Sequence, residues 1–268
     1  MAQVWRVWRK SLSEPRRTRI QLCGRLAAEI EGRRIENELP GRQGRLLFIY
    51  LVANRDRLID RAELVEALWP DSAPQAVDGA LRALVSKVRR AVGREALGLH
   101  SRFRLELPDA SWIDLEAARE AIHRAEAAVA RQDWPCAWGA SHVALVTARR
   151  GFLVGEDAPW IEEWRRYLDE LELRALECYS ASSLGIGRSE LTSAERVARA
   201  LVKKAPYRET GYQLLMQALA AEGNIAEALH VYEGLRSLLR AELGVAPGVA
   251  LQQTHARLLR EGAAPAAY

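Results

Sequence analysis

Within nine positions, the stretch Val77–Val92 carries the cations Arg82, Lys87, Arg89 and Arg90 and the hydroxyl of Ser86. At helical spacing these groups line up as N–H and O–H donors along one side. Such donors reach guanine O6 and N7 in a major groove, or phosphate oxygens beside it. Gly79 and Ala83 share that side and are small enough to let a helix sit deep in a groove. The opposite side is an apolar stripe of Val77, Leu81, Leu84, Val85, Val88 and Val92, spaced by three, four and seven residues. Arg61 is a further candidate for phosphate contact, and Arg102 and Arg104 are candidates for contact with a neighbouring groove or the backbone. Taken alone, the stretch also reads as an ordinary surface helix with cations gathered towards its C-terminus, where the helix dipole favours them. A helix in the groove implies DNA rather than RNA, because the A-form major groove is too narrow to admit one.

A second cluster combines aromatics with cations: Trp160 and Trp164 with Arg149, Arg150, Arg165 and Arg166. Together with Trp134, Trp138 and Tyr167 they can line a pocket for a small anionic effector such as a nucleotide messenger. The competing reading makes these aromatics core and the arginines solvated faces.

Other chemistry is hard to build from these residues. His100, His123, His142, His230 and His255 are scattered, without H-E-x-x-H spacing, and no metal site is expected. Cys23, Cys136 and Cys178 form no C-x-x-C pair and are expected as reduced, mostly buried thiols. Neither a G-x-x-x-x-G-K-[S/T] loop nor a G-x-S-x-G elbow occurs, and Gly185-Ile186-Gly187 reads as a turn. Neither catalysis nor a cofactor is expected.

The elements that must position the donors follow from periodicity. Three short strands, Arg19–Cys23, Ala27–Ile30 and Ile35–Glu38, alternate with period two around turns at Gly24 and Gly32. A helix from about Arg42 to Ala53 follows Pro40-Gly41. A second opens on the capping pair Asp60 and Glu63 and runs to Leu68. The donor-bearing third helix opens on Ser72 and Gln75 and ends at Gly93. A hairpin of Leu97–Leu99 against Phe103–Leu107, tipped by His100-Ser101-Arg102, completes the outline of a winged helix-turn-helix domain. Beyond Pro108 the pattern predicts seven helices, at about 114–131, 134–148, 160–184, 191–204, 207–222, 225–242 and 248–261. Short turns between them make a helix-hairpin array, tetratricopeptide-like over Tyr212–Leu229. The fold class is therefore mainly α.

Charge divides the same way. Residues 1–109 carry 21 Lys and Arg against 14 Asp and Glu (+7), and residues 110–268 carry 18 against 21 (−3). A polyanion partner is expected for the first part only. The domain expectation is a basic arm over 1–18, the winged helix over 19–109, the helical domain over 110–262 and a tail over 263–268. The arm holds Trp5 and Trp8 and reads as a disordered leader, a helix packed on the body, or a DNA-contacting arm. No apolar run approaches the roughly 20 residues of a membrane span, and the first residues lack a secretory core, so a cytoplasmic location is expected.

Several stretches resemble a known family. Gly41–Leu47, Leu64–Trp69 and Ala80–Arg90 resemble the OmpR-type DNA-binding domain of SARP/AfsR-type bacterial regulators. Trp160–Arg165, Ala205–Glu209, Ala226–Glu233 and Leu239–Pro247 resemble their bacterial transcriptional activator domain (BTAD). The resemblance implies binding to promoter direct repeats, contact with RNA polymerase, and transcription activation. Homodimerisation is a further expectation, with the helical domain as the effector and oligomerisation platform. Larger members add an ATPase module, which is not expected in this sequence. The run Arg82-Ala83-Leu84 departs from the polar or aromatic run that members often carry, so no operator sequence follows. Two alternatives stand beside this reading: a regulator switched by a small anion at the helical domain, and a protein-interaction scaffold with a vestigial winged helix.

Overall fold

The structure is a computed structural model, and it describes residues 18–93, 95–97 and 102–263. Most of the basic arm, residue 94, residues 98–101 of the expected hairpin with the His100 and Ser101 of its tip, and the last five residues lie outside them. The described chain forms two compact units, one of residues up to 117 with 150–167, the other of 118–149 with 168 onward.

The first unit begins with a sheet of β1 (Arg19–Gln21), β2 (Ala27–Ile30), β3 (Arg33–Arg34) and β6 (Trp112–Ile113), in the order β3-β2-β1-β6. β1 to β3 are antiparallel, whereas β6 runs parallel to β1, with Arg19 opposite Trp112. The sequence pattern predicts the third strand at Ile35–Glu38, two residues late. Glu31 and Gly32 both have positive φ and make a two-residue turn, which pairs Ile30 with Arg33 and leaves the chain turning again by Glu36.

Three helices follow: α1 (Gly41–Ala53), α2 (Arg61–Leu68) and α3 (Val77–Val92). α1 is buried continuously from Leu46 to Val52, as a helix that is apolar all round must be. Leu64 of α2 and Leu81, Val85 and Val88 of α3 close the same core. α2 starts where the capping pair placed it, but only half of the box forms. The Glu63 carboxylate accepts from the Asp60 backbone, while the Asp60 side chain makes no cap and instead accepts from Arg102 at 2.9 Å. α3 begins at Val77 and not at the Ser72–Gln75 box, with Ala76 as its uncapped N-cap. Residues 72–76 are all exposed and offer nothing larger than alanine and Pro74 to bury, and short helices are held by burial more than by propensity.

The hairpin forms with Leu97 opposite Leu105, and β5 (Arg102–Phe103) pairs with β4 (Ile59–Asp60). That second pairing, absent from the sequence reading, ties the wing to the start of α2.

The first unit also takes in residues 150–167, which the sequence reading assigns to the helical domain. Phe152 bridges Cys23, Gly24 N–H donates to the Gly151 carbonyl at 2.7 Å, and Leu153 N–H donates to the Leu22 carbonyl at 3.2 Å. Arg42 donates to Glu156 and to the Asp157 carbonyl, both at 2.9 Å. An isolated two-residue bridge and a loop carry no periodicity, so nothing local signals this packing.

The second unit is helical: the remainder of α4 (Asp114–Ala130), α5 (Trp134–Ala148), the remainder of α6 (Pro159–Ile186), α7 (Leu191–Lys204), α8 (Glu209–Ala221), α9 (Ile225–Leu243) and α10 (Val249–Ala263). Ala118, Ala121, Ala125 and Ala128 of α4, Ala194 and Ala198 of α7 and Ala218 of α8 are fully buried. Their small side chains let neighbouring helices approach closely. Gly223, at φ +86°, ends α8, and Asn224 N–H donates to the Leu219 carbonyl at 2.8 Å.

Gly185 of α6 faces the Trp134 ring so closely that a Cβ there would lie 2.3 Å from it. Gly185→Ala is therefore expected to destabilise by about 1–3 kcal/mol through overpacking, against the roughly 1 kcal/mol that alanine gains in an open helix. A thermal melt by circular dichroism reads the sign, and a raised Tm would refute the packing argument.

Candidate nucleic-acid interface

α3 sets the face of the candidate interface. Asp78, Gly79, Arg82, Ala83, Ser86, Lys87 and Arg90 are all exposed, opposite the buried Leu81, Val85 and Val88. Arg89 lies half-buried at the border. Among the described residues, no hydrogen bond or ion pair engages the side chains of Arg82, Ser86, Lys87 or Arg90. Four donors on one helical side are thus left to solvent.

The surrounding frame is cross-linked. Tyr50 OH of α1 donates to Glu63 of α2 at 2.5 Å, and Arg57 pairs with the same carboxylate. Arg57 holds the Glu63 carboxyl below its usual range, and burial, helped by Glu63, pushes the Tyr50 phenol up to about 12. Arg33 donates to the Ala91 carbonyl at 2.5 Å and so satisfies the last turn of α3.

The other three candidate cations are placed around this face with partners of their own. Arg61 pairs with Asp78 at 2.5 Å, linking α2 to the first turn of α3. Arg102 pairs with Asp60 at 2.9 Å, and Arg104 donates to the Arg55 carbonyl at 3.3 Å. Their guanidiniums keep unused N–H donors, but each is positioned by the protein before any ligand arrives. Asp78 was missed by the sequence reading. Its position in the first turn of α3, on the donor face, was legible from helical spacing alone.

The aromatic–arginine cluster is mostly engaged internally. Trp160 is buried, its Nε1–H donates to the Ala67 carbonyl at 3.1 Å, and its ring meets Tyr50 edge-on at 5.0 Å. Trp164 packs on Phe152 at 5.8 Å and edge-on against Tyr167 at 5.6 Å. Arg165 donates to the carbonyls of Phe152, Leu153 and Glu156 and pairs with Glu162. Arg150 donates to Gln21 at 3.4 Å within the first unit, and Arg149 pairs with Glu172 at 3.0 Å within the second. Arg166 is exposed, with no such partner among the described residues. Trp138, in the second unit, stacks on His142.

Charged side chains of the second unit, Arg208 and Glu209 of the Ala205–Glu209 motif among them, cross-link its elements. Arg208 reaches Glu177 through two N–H groups at 2.8 and 3.1 Å and Glu170 at 2.9 Å. Arg174 holds Glu126 through two bonds of 2.7 Å, and Glu209 accepts from Gly248 N–H at 2.7 Å. All three cysteines are free, with Cys23 and Cys178 buried. Burial pushes the Cys178 thiol up to about 12 and the Cys23 thiol higher still. No helix among the described residues is long and apolar enough to cross a membrane.

Residues 113–259 match the bacterial transcriptional activator domain family. Regulatory protein AfsR of Streptomyces griseus is 31% identical over 223 residues, which is 81% of this chain and 22% of that protein. Transcriptional regulatory protein EmbR of Mycobacterium tuberculosis is 27% identical over 256 residues, covering 90% of this chain and 63% of that one. A solved structure of M. tuberculosis EmbR in complex with a low affinity phosphopeptide matches with a TM-score of 0.79 and 25% identity. That match covers 92% of this chain and 66% of the solved chain. This chain thus spans from about a fifth to two thirds of the length of these relatives.

Proposed function

The chain belongs to the bacterial transcriptional activator domain family of SARP-type transcriptional regulators, and on that premise we propose that it binds promoter DNA sequence-specifically through α3. The unengaged donor face of Arg82, Ser86, Lys87 and Arg90, beside small Gly79 and Ala83, carries this reading. Arg89 borders the face. Arg61, Arg102 and Arg104, set around it by their own bonds to the protein, serve the phosphates. The helical unit is the platform for RNA polymerase and for a second copy on direct repeats, and the output is activation. No catalytic step is assigned to the chain.

The test is selection of duplexes from a randomised library at two salt concentrations. Wild type should enrich a repeated motif, with affinity falling steeply as salt rises because phosphate contacts release counterions. Arg82→Ala with Lys87→Ala should weaken binding to that motif by about 1–3 kcal/mol for each bidentate bond to a base that the substitutions remove. The unfolding transition should stay unchanged. Failure of wild type to enrich any motif at low salt would favour the protein-interaction scaffold. Undiminished enrichment by the double variant would move the reading face elsewhere.

A further inference from the structure

A groove of about 530 Å³ lies behind the C-terminal end of α3, between the β2–β3 turn and the base of the wing. Its apolar floor includes Ile30, Val92 and Leu107, and Glu31, Glu95 and Glu106 ring it with carboxylates. All three glutamates are exposed, and among the described residues no cation pairs with them. The groove has the size of a small-ligand site, but its chemistry suits a cationic and aromatic occupant.

We propose that this occupant is the N-terminal segment of the same chain, residues 1–17. Three observations support it. The segment carries Arg6, Arg9, Lys10, Arg16 and Arg17 against a single Glu14, and interleaves them with Trp5 and Trp8. It therefore offers charge opposite to that of the three glutamates and aromatic rings for the apolar floor. The described chain starts at the mouth of the groove: buried Thr18 accepts through its hydroxyl from Glu31 N–H at 3.3 Å, and Glu31 lines the groove. A tether of 17 residues can extend up to ~60 Å, so length does not limit its reach.

The third observation is Glu31 itself, at φ +51° in a turn position where glycine or asparagine is at ease. A glutamate there costs about 1–2 kcal/mol of backbone strain. Keeping a carboxylate at that cost, beside the root of a basic segment, is accounted for by pairing between the two. Docking brings the indoles of Trp5 and Trp8 onto Val92 and Leu107, and the cations onto the glutamates. It braces the end of α3 and the base of the wing whatever α3 binds.

The test is hydrogen–deuterium exchange of the full chain, read by mass spectrometry in the absence of DNA. Amides of residues 4–12 should exchange at least about tenfold more slowly than in an unstructured segment of the same sequence. Glu95→Lys with Glu106→Lys should remove that protection. Trp5→Ala with Trp8→Ala removes the two rings and leaves every residue of the groove intact; this variant should also speed exchange at residues 92–97 and 106–107. Exchange of residues 4–12 at the unstructured rate in wild type would overturn the proposal. So would protection that survives both pairs of substitutions, or that arises only when DNA is added.

Discussion

Asp114→Ala is expected to lower the unfolding free energy by about 3–5 kcal/mol, a large part of the roughly 5–15 kcal/mol that a domain has. Asp114 is fully buried at the start of α4. Its Oδ1 accepts from Leu22 N–H and Leu115 N–H, both at 2.8 Å, and its Oδ2 from Cys23 N–H at 2.9 Å. Truncation leaves three buried donors with no acceptor, at about 1–3 kcal/mol each, and a sum below simple addition because they share one site. Leu22 and Cys23 continue the strand β1, so one carboxylate joins the end of that strand to the first turn of α4. Asp114→Asn retains one oxygen but turns an amide towards one of the donors, and should lose about half as much. Urea unfolding followed by circular dichroism measures both. A midpoint unchanged in Asp114→Ala would mean that water replaces the carboxylate.

Trp160→Ala should cost about 3–5 kcal/mol, as large-to-small changes of aromatics in cores do. The indole fills the space between Tyr50 of α1 and Phe152, with ring centroids 5.0 and 6.1 Å away. Its Nε1–H also satisfies the Ala67 carbonyl in the last turn of α2, one of the groups that a helix end leaves without a partner. Trp160→Phe separates the two contributions. Phenylalanine keeps most of the packing and loses the hydrogen bond, so it should cost about 1–3 kcal/mol for the orphaned carbonyl. The same urea titration reads both variants. Equal losses for Phe and Ala would assign the whole effect to the hydrogen bond, and no loss for Phe would assign it to packing.

These two residues mark where sequence reading fails. Both make contacts about 90 positions away in the chain, with Leu22 and Cys23 for Asp114 and with Ala67 for Trp160. Asp114 reads locally as an acidic residue in a first helical turn, and Trp160 as one aromatic among several. No spacing rule identifies a carbonyl or an amide that far off. The same holds for β6 beside β1, for β4 beside β5 and for the attachment of residues 150–167 to the first unit. Two-residue strands have no periodicity to detect, and their pairing is fixed by the packing around them.

What the sequence determined by itself is whatever repeats at short range. The apolar stripe of α3 and its opposite donor face follow from 3.6-residue periodicity, and the structure buries Leu81, Val85 and Val88 while exposing Arg82, Lys87 and Arg90. The helices of the second unit begin and end within a few residues of their sequence boundaries, because Gly, Pro and Asn punctuate an otherwise unbroken helical pattern. Tertiary structure alone decided which charges are engaged. Arg61, Arg102 and Arg165 look as available as Arg82 and Lys87 in sequence, yet the first three meet Asp78, Asp60 and the 152–156 loop. An ion pair depends on where two side chains meet in space, and that is set by the core that brings distant segments together.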